Sequence, residues 1–162
     1  MIKKEKYMSI KKFLSWSLVI LWMALIFHLS HQPATVSNEL STGITELIVK
    51  TVEKIAPNAE FDIRSFNNIV RKNAHFFAYL VLGMLVINAL RRSGVPGYRS
   101  VLITLGICVL YAISDEIHQL FIPGRSGEVR DVLIDSTGAS LGVAIYWAAS
   151  RLVKGSKTKD RN

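Results

Sequence analysis

Apolar positions along this chain gather into four long runs, 13–29, 73–90, 100–122 and 132–153, separated by stretches rich in charge, glycine and proline. At about 1.5 Å of rise per residue, each run is long enough as a helix to cross a hydrocarbon core about 30 Å thick. The second and third runs are joined by Arg91-Arg92-Ser93-Gly94-Val95-Pro96-Gly97-Tyr98-Arg99, a short turn that makes those helices antiparallel neighbours. The segment 30–72 is patterned differently. Pro33 closes the first helix; Leu40, Ile44, Leu47, Ile48 and Ile55 then recur at helical spacing, with Glu39, Glu46 and Glu53 elsewhere around the helix, until Pro57 stops it. A further helical start near Asp62 or Ser65 leads into the second run. The pattern predicts an all-α fold. Residues 13–153 form an integral membrane bundle of four transmembrane helices, with an external amphipathic helix that lies on the membrane surface or caps the bundle.

Charge then orients the bundle. The tail 1–12, the 91–99 turn and the chain from Arg151 onward, which includes the basic tail 154–162, carry 13 of the 20 Lys and Arg residues, offset there only by Glu5 and Asp160. The opposite side holds 7 basic and 10 acidic residues. Lys and Arg accumulate on the cytoplasmic side. Both ends are therefore expected in the cytoplasm and the 30–72 segment outside, with the chain in the cell membrane and the lipid bilayer as its first partner. The net charge of +8 becomes a topology signal. No nucleic-acid partner is expected, because there is no binding motif and no basic stripe interleaved with aromatics. The lysines ahead of the first run resemble the start of a signal peptide. The 17-residue run that follows is long for a signal peptide's apolar core, and no small-x-small cleavage site comes after it, so it is read as an uncleaved span. The single cysteine, Cys108, excludes a disulfide within the chain and reads as a small apolar residue. The number of copies in the assembly is not legible.

Against this apolar background the polar residues inside the runs stand out. His75 lies 16 residues from Arg91, Asp115 lies 16 from Arg99, and Asp135 lies 16 from Arg151. Sixteen residues rise about 24 Å, which puts all three groups in one layer near the outer face. Ionisable groups at that depth face protein or a water-filled cavity. Helical spacing places Lys72, His75, Tyr79 and Gly83 on one face of the second span, and Asp131, Asp135, Gly138 and Gly142 on one face of the fourth. On the third span Tyr111, Asp115 and His118 share a stripe beside Glu116 and Gln119. Convergence of these faces would make a polar pocket open to the outside, bridged by the loop Pro123-Gly124-Arg125-Ser126-Gly127. Gly138 and Gly142 form a small-xxx-small pair that permits close helix approach. His28 and His31 read as solvated, and Lys50, Lys54 and Arg64 as surface charges. Arg71 alone also reads as a surface charge, although Arg71 and Lys72 together oppose the charge asymmetry and hint at an anion.

Two blocks in these runs resemble the VanZ-like family. One is Arg71-Lys72-Asn73-Ala74-His75-Phe76-Phe77-Ala78-Tyr79 with Leu82-Gly83. The other is Ser114-Asp115-Glu116-Ile117-His118-Gln119-Leu120-Phe121-Ile122-Pro123-Gly124-Arg125, followed by Asp131, Asp135 and Gly138. Phe27-His28-Leu29-Ser30-His31-Gln32-Pro33 is similar to the family's Ser/Gln-rich end of the first span, with His31 where Ser is common. The resemblance covers nearly the whole chain. It implies a small multi-span bacterial protein, with a founding member associated with teicoplanin resistance, and it names no reaction.

Three uses of such a pocket are open from the residues. The first is acid–base work on a cell-envelope substrate, lipid-linked or glycopeptide. Asp115 or Asp135 would be the base and His118 the acid or shuttle, with Glu116 and His75 beside them. Arg125 and Lys72 would hold a phosphate or carboxylate, with Tyr79, Gln119 and Asp131 lining the site. The second is binding without turnover, as in a glycopeptide-resistance protein. The third is a polar network that only holds helices together. No cofactor is expected. A divalent metal is the alternative that Asp115, Glu116, His118, Asp131 and Asp135 leave open as donors.

Overall fold

The computed structural model describes residues 2–53 and 63–159, with side chains for 9–39, 41–51 and 66–152. The described residues are almost all helical, with no strand among them. Its helices are α1 (Ile2–Ser30), α2 (Ala34–Glu53), α3 (Ile63–Arg92), α4 (Gly97–Gln119) and α5 (Val129–Lys159). Among the described residues four stretches are long and apolar enough to cross a membrane: Ser9–Ser30, Phe66–Arg92, Gly97–Gln119 and Val129–Leu152. They coincide with the four apolar runs. The third ends as helix at Gln119, a few residues short of the expected 122, because Pro123 disfavours helix in the residue before it. The expected contributions of Ile55, Pro57 and Asp62 lie outside the described residues. Between α3 and α4 the chain reverses at Gly94 (φ 87°) and Gly97 (φ 59°), a backbone region that glycine enters without strain.

α3 is the central helix and packs on each of the others, most extensively on α5. Apolar burial does little to hold helices together in lipid, so close backbone contact and polar bonds must do it. Here glycine provides the contact. A Cβ at Gly138 would strike the Phe76 carbonyl, one at Gly142 the Leu80 carbonyl, and one at Gly83 the Ala139 carbonyl. The pairs 76/138 and 80/142 advance together, so α3 and α5 run parallel, with the glycines of α5 seated on the backbone of α3. Tyr79, Leu82, Val86 and Ala89 of α3 fill the core with Val19, Ile26, Cys108, Ala112 and Ala139. Tyr111 donates to the Met23 carbonyl at 2.6 Å and Trp22 to the Ala78 carbonyl at 2.9 Å, tying α1 to α4 and to α3. Phe13, Leu21, Leu110 and Leu152 remain exposed around the outside, the surface a bilayer would cover.

Of the two expected roles of α2, lying on the membrane surface or capping the bundle by its apolar stripe, the packing fits the first. The face it packs is polar: Ser41 is 7% exposed and Thr45 fully buried. Asn67 of α3 pins that face, accepting from Thr45 at 3.2 Å and donating to Thr42 at 2.9 Å and to the Asn38 carbonyl at 3.4 Å. Leu47 points away from the bundle, and Ile44 and Ile48 are part-exposed beside it. An apolar stripe seeks protein in water; beside lipid it can face the solvent.

Candidate functional site

The polar residues gather at the end of the bundle that carries the α4–α5 loop. Arg125 fixes that loop. Its guanidinium donates to the Gln32 carbonyl at 3.0 Å and to the Leu29 carbonyl at 3.3 Å. These acceptors lie where α1 leaves its last carbonyls without helical partners and where the helix dipole favours a cation. The Ala34 amide adds a bond to the Pro123 carbonyl at 3.2 Å. Glu116 does the complementary work at the start of α5, where its carboxylate accepts from the Glu128 amide at 2.7 Å. The loop thus clamps the α1–α2 corner to α4 and α5.

Within that frame the expected layer forms. His75 Nδ1 lies 3.6 Å from Asp135 Oδ2, and Lys72 Nζ lies 3.2 Å from Asp131 and 3.3 Å from Glu128. Lys72 and His75 of α3 therefore meet Asp131 and Asp135 of α5 in register. Asp115, on α4, accepts from Ser30 at 2.7 Å and from Gln119 at 3.3 Å. Gln119 also reaches Glu116 at 3.5 Å. Asp135 is fully buried, and neither of its oxygens has a hydrogen-bond partner among the described residues.

A cavity of about 300 Å³ opens beside this layer. α1 contributes Ile26, Leu29 and Ser30, α2 contributes Ser37, Ser41 and Ile44, and α3 contributes Val70, Arg71, Ala74, His75 and Ala78; Gln32 and Arg125 complete it. His75 thus has two sides, one on the cavity and one on Asp135. Ser30 likewise stands between the cavity and Asp115. The carboxylates expected to meet a ligand form a second row behind an imidazole and a hydroxyl.

Other candidates fall elsewhere. Lys72 is engaged by two carboxylates and does not line this cavity. Tyr79 is fully buried in the core, its ring centroid 6.1 Å from that of Tyr111. His118 turns toward the end of α1, where its Nε2 lies 3.1 Å from His31 Nδ1 and its ring stacks on Phe27. Among the described residues no three His, Cys, Asp or Glu side chains are placed to hold a metal ion. The carboxylates are instead partnered by Lys72, His75, Ser30 and the Glu128 amide.

Sequence reasoning passed over Ser30 as a site residue and read His31 as solvated and Arg71 as a surface charge, with a hint of an anion only from Arg71 beside Lys72. His31 is not merely solvated, since it bonds to His118. Arg71 is not a plain surface charge, since it is half-buried on the cavity wall. Its guanidinium has no carboxylate partner among the described residues, and Arg125 bonds only to carbonyls. Burial, and then the charge of Arg71, pull the Arg125 guanidinium below its ordinary value, while Asp115 and Glu116 act the other way. Two cations share one small cavity and repel each other across it.

No curated protein and no solved structure matches this chain. A family model described as VanZ/LLP1 matches residues 15–152, which takes in both motif blocks and reaches into all four membrane-length helices. The chain therefore belongs to the VanZ/LLP1 family, as a membrane protein with four membrane-length helices among the described residues and a polar cluster where they meet at one end.

Proposed function

We propose that this protein binds an anionic cell-envelope ligand in the cavity between α1, α2 and α3, at the outer end of the bundle in the cell membrane. The observation that carries this is the pair Arg71 and Arg125, two cationic residues that line one cavity and have no carboxylate partner among the described residues. An oxyanion placed between them relieves their repulsion and accepts charge-assisted, fork-like hydrogen bonds. The concentration of Lys and Arg at the tails and the 91–99 turn supports putting this end outside and both termini in the cytoplasm.

The cavity is at the lower end of small-molecule sites in volume. That favours a headgroup over a whole glycopeptide. His75 is the acid–base group in reach of the ligand, with Asp135 behind it to orient the ring. Ser30 and Asp115 form a second such pair. A protein that withholds or alters an envelope precursor at this site would shield a cell from a glycopeptide, the role associated with the family's founding member.

The test is purification in mild detergent followed by mass spectrometry of the lipids that remain bound. Wild type should carry an anionic lipid enriched over the bulk membrane. Arg71→Gln, which removes one charged hydrogen-bonding group, should reduce that enrichment about tenfold or more. Equal lipid in both proteins would overturn the proposal.

A further inference from the structure

The cavity wall has a second character beside its charge. Ile26, Leu29, Ile44, Val70, Ala74 and Ala78 make much of it apolar. Two of these stand at its edge: Leu29 on α1 is 49% exposed and Ile44 on α2 is 53% exposed. Each therefore presents apolar surface both to the cavity and to the exterior of the bundle. α1 and α2, although consecutive, make little contact with each other, so the gap between them is bounded by these side chains. α2 continues the apolar exterior through Leu47 and Ile48, while its polar face is held to α3 by Asn67. The cavity thus has cations within and an apolar exit on the side where α2 would meet lipid.

We infer that the ligand is a phosphate-bearing amphiphile. Its headgroup lies between Arg71 and Arg125, and its hydrocarbon chain leaves between Leu29 and Ile44 into the bilayer, with α2 as the wall it passes. A cavity of about 300 Å³ holds a headgroup and the first few carbons, and the remainder of the chain stays in lipid. The inference rests on the anion-binding proposal and adds the chain and its exit.

The test uses the full-length protein in nanodiscs of zwitterionic lipid, with binding to empty discs subtracted. The probes are ³²P-labelled octyl phosphate and ³²P-labelled inorganic phosphate, with unlabelled octanol as competitor. Burial of one methylene tightens binding about fourfold, so three buried carbons give a preference for octyl phosphate of about fiftyfold or more. Arg71→Gln should weaken both phosphates about tenfold or more. Ile44→Asn, at an exposed position, should weaken octyl phosphate and leave inorganic phosphate unchanged. Equal binding of the two phosphates, both lost in Arg71→Gln, would leave the anion site standing and overturn the amphiphile. Complete displacement by octanol with Arg71→Gln unaffected would overturn both, as would the absence of binding by either phosphate.

Discussion

Asp135→Asn separates a functional carboxylate from one that only joins helices. The substitution keeps shape and removes charge. Asp135 is fully buried between α3 and α5, its oxygens lack hydrogen-bond partners among the described residues, and its nearest cationic candidate, His75 Nδ1, is 3.6 Å away. Polar bonds between membrane helices average about 0.6 kcal/mol. Leaving a buried polar group unsatisfied costs about 1–3 kcal/mol, and ionising it costs more. The balance favours the neutral side chain. His75 can itself be neutral, so the change strands no charge. We expect Asp135→Asn to match wild-type stability or exceed it by up to about 2 kcal/mol, while the bound anionic lipid falls because His75 loses its orienting carboxylate. Unfolding in mixed micelles titrated with sodium dodecyl sulfate, followed by circular dichroism, measures the first quantity, and lipid mass spectrometry the second. A loss of more than about 2 kcal/mol with lipid retained would refute the reasoning and make Asp135 a structural clamp.

Further perturbations reach other parts of the account. Gly142→Val pushes α5 off the Leu80 carbonyl and should cost about 1–3 kcal/mol in the same unfolding assay; a wild-type midpoint would contradict the packing. Asn67→Ala removes three polar bonds to α2. At about 0.5 kcal/mol each, their loss should speed hydrogen exchange in Ala34–Glu53 about tenfold while α3 and α5 stay protected. His118→Ala should leave bound lipid within about twofold of wild type, since His118 faces His31 and Phe27 rather than the cavity; a tenfold loss would return it to the site. Alkaline phosphatase fused near Gly124 should be active and near Gly94 inactive, and the reverse pattern would invert the bundle.

The spans and the layer were legible because a bilayer imposes simple rules. A run such as 100–122 has few readings other than a membrane helix. Equal distances from flanking arginines put His75 and Asp135 at one level, and α3 and α5 bring them within 3.6 Å. Gly138 and Gly142 could be noticed in sequence, but whether they meet a neighbour depends on tertiary packing, which sets them under Phe76 and Leu80. α2 was harder to read. Its apolar stripe was visible, yet the side that packs is Ser41 and Thr45, because beside lipid the polar face is the one that gains from protein contact. Arg71 sits next to Lys72 in sequence and looks equivalent to it. Only the fold gives Lys72 two carboxylates and leaves Arg71 facing a cavity. Ser30 and His31 stand at the end of the first span, and their partners Asp115 and His118 are more than eighty residues away, beyond the reach of local spacing.

The central claim, that Arg71 and Arg125 hold an anionic lipid in this cavity, is tested most directly in the native membrane. A benzophenone amino acid placed at Ala74, on the cavity wall, is photolysed in cells grown with ³²P-orthophosphate, and the purified protein is assayed for covalent label. We expect labelled phospholipid on the Ala74 probe and a loss of about tenfold or more when Arg71→Gln is added. An unlabelled protein, or equal label with and without Arg71, would contradict the claim.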